Sequence, residues 1–295
     1  MATNNPWQIE NLIRKALQRT KDRFLSFLIA AIIQYIIIFV GIAVVFLIVG
    51  LFAAVLFTLK TTISTIIIAF LAIIGIIYGA LVIIYLVSWS QLTLTTIIIQ
   101  KENIGVIDTY KKTRPRVWGF VWFNIALNLF LLGLVPFGIM SLGLIFFLWV
   151  FWNAFSVIVF IEKQKIGLDN LWISRSLINQ RFWGIAGRLV LIYALFYIIV
   201  ISLASVDSAV LNAINFVLSI FFGPFLISYM YEIYSLLKIP KVIERPKGWI
   251  ILSIIGYFLA VVMFIIGFSL LPQIMNTFIK KAPYIPPKVV DYPAT

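Results

Sequence analysis

The stretch "FIEKQKIGLDNLWISRSLINQRFWG", residues 160–184, is a polar segment inside an otherwise apolar chain. Runs without any charged residue, 117–161 and 189–206, flank it on its two sides. A helix needs about 20 apolar residues to cross roughly 30 Å of hydrocarbon. The segment is therefore predicted to connect two membrane-spanning helices.

The composition of the whole chain supports this interpretation. Hydrophobic residues make up 63% of the 295 residues and charged residues 11%, whereas soluble domains are roughly half apolar and about a quarter charged. Backbone groups in lipid must form hydrogen bonds within the protein, and the apolar runs lack the alternation typical of barrel strands. The predicted fold class is all-α, a polytopic transmembrane helix bundle.

The lengths of the uncharged runs predict about seven spans within a single transmembrane domain, residues 24–279. The run 117–161 is too long for one crossing, and Pro136 and Gly138 predict a break within it. The first run is also long, so its helix tilts, protrudes, breaks near Gly50 or re-enters the membrane. The predicted spans are 24–59, 61–99, 117–135, 139–161, 182–206, 208–237 and 248–271.

The lysines and arginines indicate how the chain is oriented. With the N-terminus in the cytoplasm, nineteen of the 23 basic residues fall on the inner side, and Lys60, Lys280, Lys281 and Lys288 fall outside. Cytoplasmic loops collect basic residues. We expect a prokaryotic plasma (inner) membrane protein with an external C-terminus, in which the net charge of +13 reflects topology and not nucleic-acid binding.

Two polar connectors resemble each other. "IQKENIGV" at 99–106 matches "IEKQKIGL" at 161–168, and "VWGF" at 117–120 matches "FWGI" at 182–185. This pattern predicts parallel internal repeats of span, connector and span. Each connector is expected to contain a short amphipathic helix in the cytoplasmic interface, an ordinary cytosolic loop being the alternative. The candidate contacts to anionic lipid headgroups are Lys111, Lys112, Arg114, Arg175 and Arg181.

The two ends of the chain differ from the spans. Residues 1–23 combine apolar residues at helical spacing with a basic polar face, which predicts a cytoplasmic amphipathic helix. Residues 280–295 form a tail rich in proline, which predicts an extended segment.

The chemistry available to the chain is restricted. Histidine and cysteine are both absent, and the ten acidic residues show no paired spacing, so no enzyme activity, metal site or cofactor is predicted. Gly223 and Pro224 predict a kink, and kinked helices line cavities in many carriers. Amides within the spans are expected to form hydrogen bonds between helices, with a polar pathway as the alternative. These amides are Gln34, Asn124, Asn128, Asn153, Asn212 and Asn215.

One family resemblance rests on the second connector. Its pattern is carried by Glu162, Lys163, Gly167, Ser174, Ser176, Trp183 and Gly184. Over roughly residues 90–240 the chain resembles the membrane domain that is sometimes fused to glycerophosphodiester phosphodiesterases, and the related YciC-type inner-membrane proteins. The resemblance implies a multi-pass membrane domain of undefined activity. The phosphodiesterase activity belongs to a separate soluble domain and is not implied.

The expected function is that of a noncatalytic scaffold or accessory subunit that organises lipids or other membrane proteins. The alternative is a permease for a neutral or lipid-like solute, with a cavity beside Gly223 and Pro224. The expected partners are anionic membrane lipids, and other membrane proteins or a second copy of the chain.

Overall fold

The structure is a computed structural model that describes residues 7–57, 62–100, 104–165, 167–206, 208–238 and 245–281. Within these ranges the regular structure is helical and contains no strand, which confirms the all-α prediction. The α-helices are α1 Ile9–Phe57, α2 Thr62–Ile99, α3 Val106–Thr113, α4 Val117–Met140, α5 Leu144–Asn153, α6 Ser156–Lys163, α7 Asp169–Asn179, α8 Phe182–Ala204, α9 Ala209–Ser235 and α10 Lys247–Lys281, with a 3-10 turn at Arg114–Arg116.

Seven segments in the described part of the chain are long and apolar enough to cross a membrane, which confirms the predicted number of spans. They are Ile9–Leu51, Ile73–Ile99, Val106–Met140, Leu144–Lys163, Phe182–Ala204, Ala209–Ser235 and Lys247–Leu270. Their large apolar side chains include many that face outward, such as Phe39 and Phe264, which are 74% and 73% exposed. Exposed apolar surface on this scale suits contact with lipid.

The first helix differs from the prediction. The structure has one continuous helix from Ile9 to Phe57 and no separate amphipathic helix ending at residue 23. The suggested break near Gly50 is also wrong, because Gly50 lies inside this helix. A single glycine costs a helix only about 1 kcal/mol, whereas a broken backbone in lipid leaves polar groups without partners. Residues 1–6 of the predicted N-terminal helix and 282–295 of the predicted tail lie outside the described ranges.

The break in the run 117–161 lies five residues later than predicted. Helix α4 continues through Pro136 to Met140. The chain then turns at Leu142 and Gly143, which have φ angles of 51° and 86°, and the Gly143 N–H donates to the Gly138 carbonyl at 2.8 Å. These two residues with left-handed conformations form the turn, and Pro136 lies inside the longer helix α4.

A second break divides the predicted helix 139–161 into α5 and α6 at Ala154 and Phe155. The Ser174 hydroxyl of α7 accepts a hydrogen bond from the Phe155 N–H at 3.1 Å. A backbone donor freed by the break therefore has a partner from another helix, as apolar surroundings require.

The chain divides into two compact units, each with its own packing. The first unit comprises residues 1–129 and 146–245, and the second comprises 130–145 and 246–295. In the first unit, α1 packs along α2 and α9, and α7 contributes Ile173, Leu177 and Ile178 to the buried core. Helix α7 buries seven of its eleven residues, so it is more deeply packed than a helix lying on a membrane surface.

Close helix contacts depend on small residues in both units. A Cβ placed at Gly75 or Gly79 of α2 would lie 2.8 or 2.6 Å from side chains of α1, Val49 and Val45. In the second unit, a Cβ at Gly256 of α10 would collide with the backbone of Gly133.

Candidate functional site

Polar side chains from α1 and α9 join these helices at one end of the first unit. Nε and Nη2 of Arg19 donate to Oε1 of Glu232 at 2.9 and 2.7 Å. The Arg19 guanidinium also lies 4.6 Å from the centre of the Tyr231 ring. Next to Arg19 on α1, the Thr20 hydroxyl donates to the hydroxyl of Ser228, one turn before Glu232 on α9, at 3.1 Å, and both residues are fully buried.

Two polar pockets lie beside this junction, each of about 340 Å³. The first, here called the arginine pocket, is formed by α1, α9 and the end of α2; it is lined by Lys15, Gln18, Arg19, Asp22, Arg23, Gln100 and Glu232. The second, here called the connector pocket, is lined by Thr96, Ile99, Gln100, Lys112, Arg116, Ile161, Glu162, Gln164 and Tyr231. Gln100 lines both pockets, so they are neighbours.

The charges around the two pockets are unequal. Five basic side chains line them against three acidic ones, which are Asp22, Glu162 and Glu232. Glu232 pairs with one of the five basic side chains, Arg19, and Glu162 accepts a hydrogen bond from the neutral Tyr234 hydroxyl at 2.9 Å, so the basic side chains still outnumber the acidic ones by two. The remaining excess of positive charge favours an anionic ligand.

The connector pocket presents amide groups beside its basic groups. With its amide oriented to satisfy its neighbours, the Gln164 side-chain oxygen accepts from both terminal nitrogens of Arg116, at 3.2 and 3.0 Å. This contact holds the Arg116 guanidinium at the pocket wall.

Gln100 occupies the boundary between the pockets with unsatisfied polar atoms. Its side-chain Oε1 and Nε2 are both buried, and neither has a hydrogen-bond partner in the described structure. Leaving a buried polar group unpaired costs about 1–3 kcal/mol. The amide can both donate and accept, so a ligand with acceptor and donor groups would satisfy it.

The five predicted headgroup contacts do not form one site. Lys112 lines the connector pocket, whereas Arg114 is exposed on the 3-10 turn and Lys111 lies 3.7 Å from Asp108. Cation–π contacts hold the other two: Arg175 lies 4.8 Å from the Trp152 ring and Arg181 lies 4.5 Å from the Trp7 ring.

The pocket residues that the sequence analysis did not single out had a partial signal. Lys15, Arg19 and Arg23 are spaced four residues apart, which places them on one face of a helix. No comparable spacing marks Gln100 or Gln164, because different helices bring them to the pockets.

The predicted span amides are also dispersed. Asn128 Nδ2 donates to the Asn124 carbonyl of its own helix at 2.8 Å, and the Asn153 side chain accepts from the Ser156 hydroxyl. Asn212 is exposed, Gln34 is half-buried, and Oδ1 of Asn215 is buried without a partner in the described residues. These residues do not converge on a site in the described part of the chain.

An apolar cavity lies deeper in the first unit and is called here the span cavity. Its volume is about 330 Å³. Gly223 lines it, while Pro224 does not and is buried within helix α9. Its polar lining comes from Gln91 and Thr95, and its other walls are Phe27, Leu94, Phe120, Ala154, Val157, Ile158, Ile227 and Met230.

A further apolar cavity of about 350 Å³ lies on the other side of Ala154 and Met230, which line both cavities. Its remaining walls come mainly from α5 and α8.

Metal ions in proteins are bound mainly by histidine, cysteine, aspartate and glutamate side chains. In the described ranges no three of them come together in a way that could hold a metal ion. Comparison of the chain with protein-family models, curated proteins and solved structures finds no match.

Proposed function

We propose that this integral membrane protein is a noncatalytic scaffold or accessory subunit that gathers anionic lipids around one end of its helix bundle. The observation that carries the proposal is the convergence of basic side chains there. Lys15, Arg19 and Arg23 come from α1, while Lys112 and Arg116 come from the connector between α2 and α4. Basic residues near a membrane surface attract anionic headgroups, by about 1 kcal/mol each.

The orientation belongs to the same proposal. The protein spans the plasma membrane of a prokaryotic cell, and its basic end faces the cytoplasm. The N-terminus lies inside the cell and the C-terminus outside. The unequal distribution of the 23 basic residues supports this orientation. An anionic cytoplasmic leaflet would then lie beside the two polar pockets.

We further propose that the connectors are copies of one unit and that the chain is related to the membrane domain it resembles. Helices α3 and α7 occupy equivalent places, each following a long apolar segment and preceding a span. The backbones differ at the matching glycines, because Gly105 has φ −59° and Gly167 has φ +64°. The copies would therefore have diverged where each connector begins.

The lipid proposal can be tested on membrane patches extracted with a solubilising polymer. Lipid analysis should show more phosphatidylglycerol and cardiolipin in patches containing the protein than in bulk membrane. A triple variant, Lys111→Gln, Arg114→Gln and Lys165→Gln, removes three exposed charges that lie in the same two connectors but outside both pockets. It should reduce the enrichment, because each basic residue near the surface contributes about 1 kcal/mol.

The matched control keeps all three charges through Lys111→Arg, Arg114→Lys and Lys165→Arg, and it should retain the enrichment. Equal lipid composition in wild-type patches and bulk membrane would overturn the proposal.

The permease is the second candidate, favoured by the span cavity beside Gly223. A permease would move a neutral or lipid-like solute through this cavity. The test is uptake of small neutral solutes, and exchange of labelled lipid between leaflets, by vesicles containing the purified protein. Transport that is abolished by Gly223→Leu would support the permease, and rates equal to those of empty vesicles would exclude these solutes.

A further inference from the structure

We infer that the first unit binds one anionic glycerophospholipid, with the headgroup at Gln100 between the two polar pockets and an acyl chain in the span cavity. This inference deepens the proposed function and rests on it. It differs from general attraction of lipid because it requires one defined site per chain.

The headgroup half of the site has matching charge and hydrogen-bonding groups. Arg23 and Lys112 line opposite pockets, and the Gln100 side chain is common to both. A phosphate in either pocket would meet a cation, and a neighbouring ester or hydroxyl group would satisfy the amide of Gln100, which both pockets share. A phosphodiester linked to a polar alcohol fits this combination.

The acyl-chain half lies deeper along the same helices. On α2 the lining changes from Gln100 in the polar pockets to Thr95 in the span cavity, a separation of about 7.5 Å along the helix. On α1 it changes from Arg23 to Phe27, about 6 Å apart. Along both helices the polar pockets and the span cavity are thus separated by little more than one turn, a distance that a headgroup and the start of its acyl chain can bridge.

The cavity walls suit an acyl chain rather than a soluble anion. Phe27 and Phe120 supply aromatic walls, Val157 and Ile158 supply aliphatic walls, and Gly223 leaves open space because a Cβ there would meet nothing within 4 Å. A ligand that carries hydrocarbon beneath its charged group would bury apolar surface in this cavity. Burial of that surface away from water favours its binding over that of a soluble anion.

Native mass spectrometry of the delipidated full-length protein in a neutral detergent tests the inference. The probes are dioleoyl phosphatidylglycerol, dioleoyl phosphatidylcholine and glycerol 1-phosphate. We expect one phosphatidylglycerol per chain, binding at least tenfold weaker for phosphatidylcholine, and none for glycerol phosphate at the same concentration. Equal binding of the two lipids would overturn the inference, and binding of glycerol phosphate as tight as that of phosphatidylglycerol would assign the pockets to a soluble anion.

Two variants test the two halves of the site separately. Gln100→Leu replaces the unpaired amide by an apolar side chain of similar size, and we expect about a tenfold loss of phosphatidylglycerol affinity with folding preserved. Gly223→Leu fills the span cavity and should reduce the affinity by a similar factor. Gly187→Leu is its control, because Gly187 on α8 also faces open space outside the cavity.

The outcomes separate this inference from the wider proposal. Gln100→Leu should bind the single lipid about tenfold more weakly while its membrane patches stay enriched in anionic lipid. The triple variant of Lys111, Arg114 and Lys165 should show the reverse. Unchanged one-to-one binding in both Gln100→Leu and Gly223→Leu would overturn the defined site. The proposed lipid enrichment would then be decided by the membrane-patch experiment alone.

Discussion

The ion pair between Arg19 and Glu232 joins two long helices at the border of the apolar bundle. Their side chains are only 25% and 11% exposed, whereas those of Lys111 and Asp108 are 77% and 66% exposed. An ion pair shielded from water interacts more strongly, and the loss of one partner leaves the other charge poorly solvated.

Glu232→Gln is therefore expected to destabilise the protein. Removing one member of a buried pair costs about 3–5 kcal/mol, and partial exposure of Arg19 reduces the expected loss to about 1–3 kcal/mol. The free energy of unfolding in detergent measures this loss. Asp108→Asn removes the exposed pair and should change that free energy by less than about 0.5 kcal/mol.

The double variant Arg19→Met with Glu232→Met provides a further test. Because it removes both charges together, it should recover much of the stability lost in Glu232→Gln. A double variant as unstable as Glu232→Gln would show that packing around the pair, and not the unpaired Arg19 charge, determines the cost.

At the scale of elements, α7 stabilises the break between α5 and α6. The Ser174 hydroxyl accepts from the Phe155 N–H, and both residues are fully buried. We expect Ser174→Ala to cost about 1–3 kcal/mol, because it leaves that N–H without a partner. Thermal unfolding in detergent measures the effect.

Ser176→Ala is the matched control for Ser174→Ala. The Ser176 hydroxyl donates to the Ile173 carbonyl within its own helix, so its loss should change the stability by about 0.5 kcal/mol or less. Equal losses of stability in the two variants would show that the Ser174 hydrogen bond to Phe155 contributes no more than the Ser176 bond within α7.

The space around each helix glycine predicts how strongly its substitution by alanine changes the stability of the protein. Gly256→Ala should cost at least about 2 kcal/mol, because its Cβ would collide with the Gly133 backbone, which cannot rotate away. At Gly79 the obstacle is the end of the Val45 side chain, so the steric cost is smaller and is offset by about 1 kcal/mol of helix propensity. Gly187→Ala, in open space, should be stabilising.

Denaturation midpoints of the three purified variants would give this order. A Gly256→Ala protein as stable as Gly187→Ala would contradict the close approach of backbones within the second unit.

The sequence predicted spans better than breaks for a physical reason. Span number follows from long uncharged runs, which the apolar environment forces into helices. The breaks depend on local backbone geometry: Pro136 stays inside α4, while the turn uses Leu142 in a left-handed conformation that leucine rarely adopts. Nothing in the residue types marked Ala154 and Phe155 as a second break, because the hydroxyl that stabilises it comes from Ser174, nineteen residues away.

The candidate site was less predictable than the fold. Lys112, one of the five predicted headgroup contacts, lines the connector pocket, and its contact to a lipid headgroup stays a prediction. The pockets themselves depend on which side chains meet across helices. Arg19 pairs with Glu232, which is 213 residues away in the chain. Only the packing of α1 against α9 shows that these two charges neutralise each other.

At the scale of the whole molecule, the decisive property is the side of the membrane that each connector faces. The chain has no cysteine, so single cysteines can be introduced without background labelling. Lys111→Cys and Arg181→Cys lie in the two basic connectors, and both positions are exposed. Leu142→Cys lies in the turn between α4 and α5 and is 96% exposed.

If the basic connectors face the cytoplasm, a membrane-impermeant maleimide should label Leu142→Cys in intact cells stripped of any outer layer, and should leave the other two variants unlabelled. Inside-out vesicles should give the opposite pattern, because the connectors on either side of α4 must then lie on opposite faces. Labelling of Lys111→Cys and Arg181→Cys from different sides would contradict both the parallel repeat and a single cytoplasmic lipid site, since both require the basic connectors to share one membrane face.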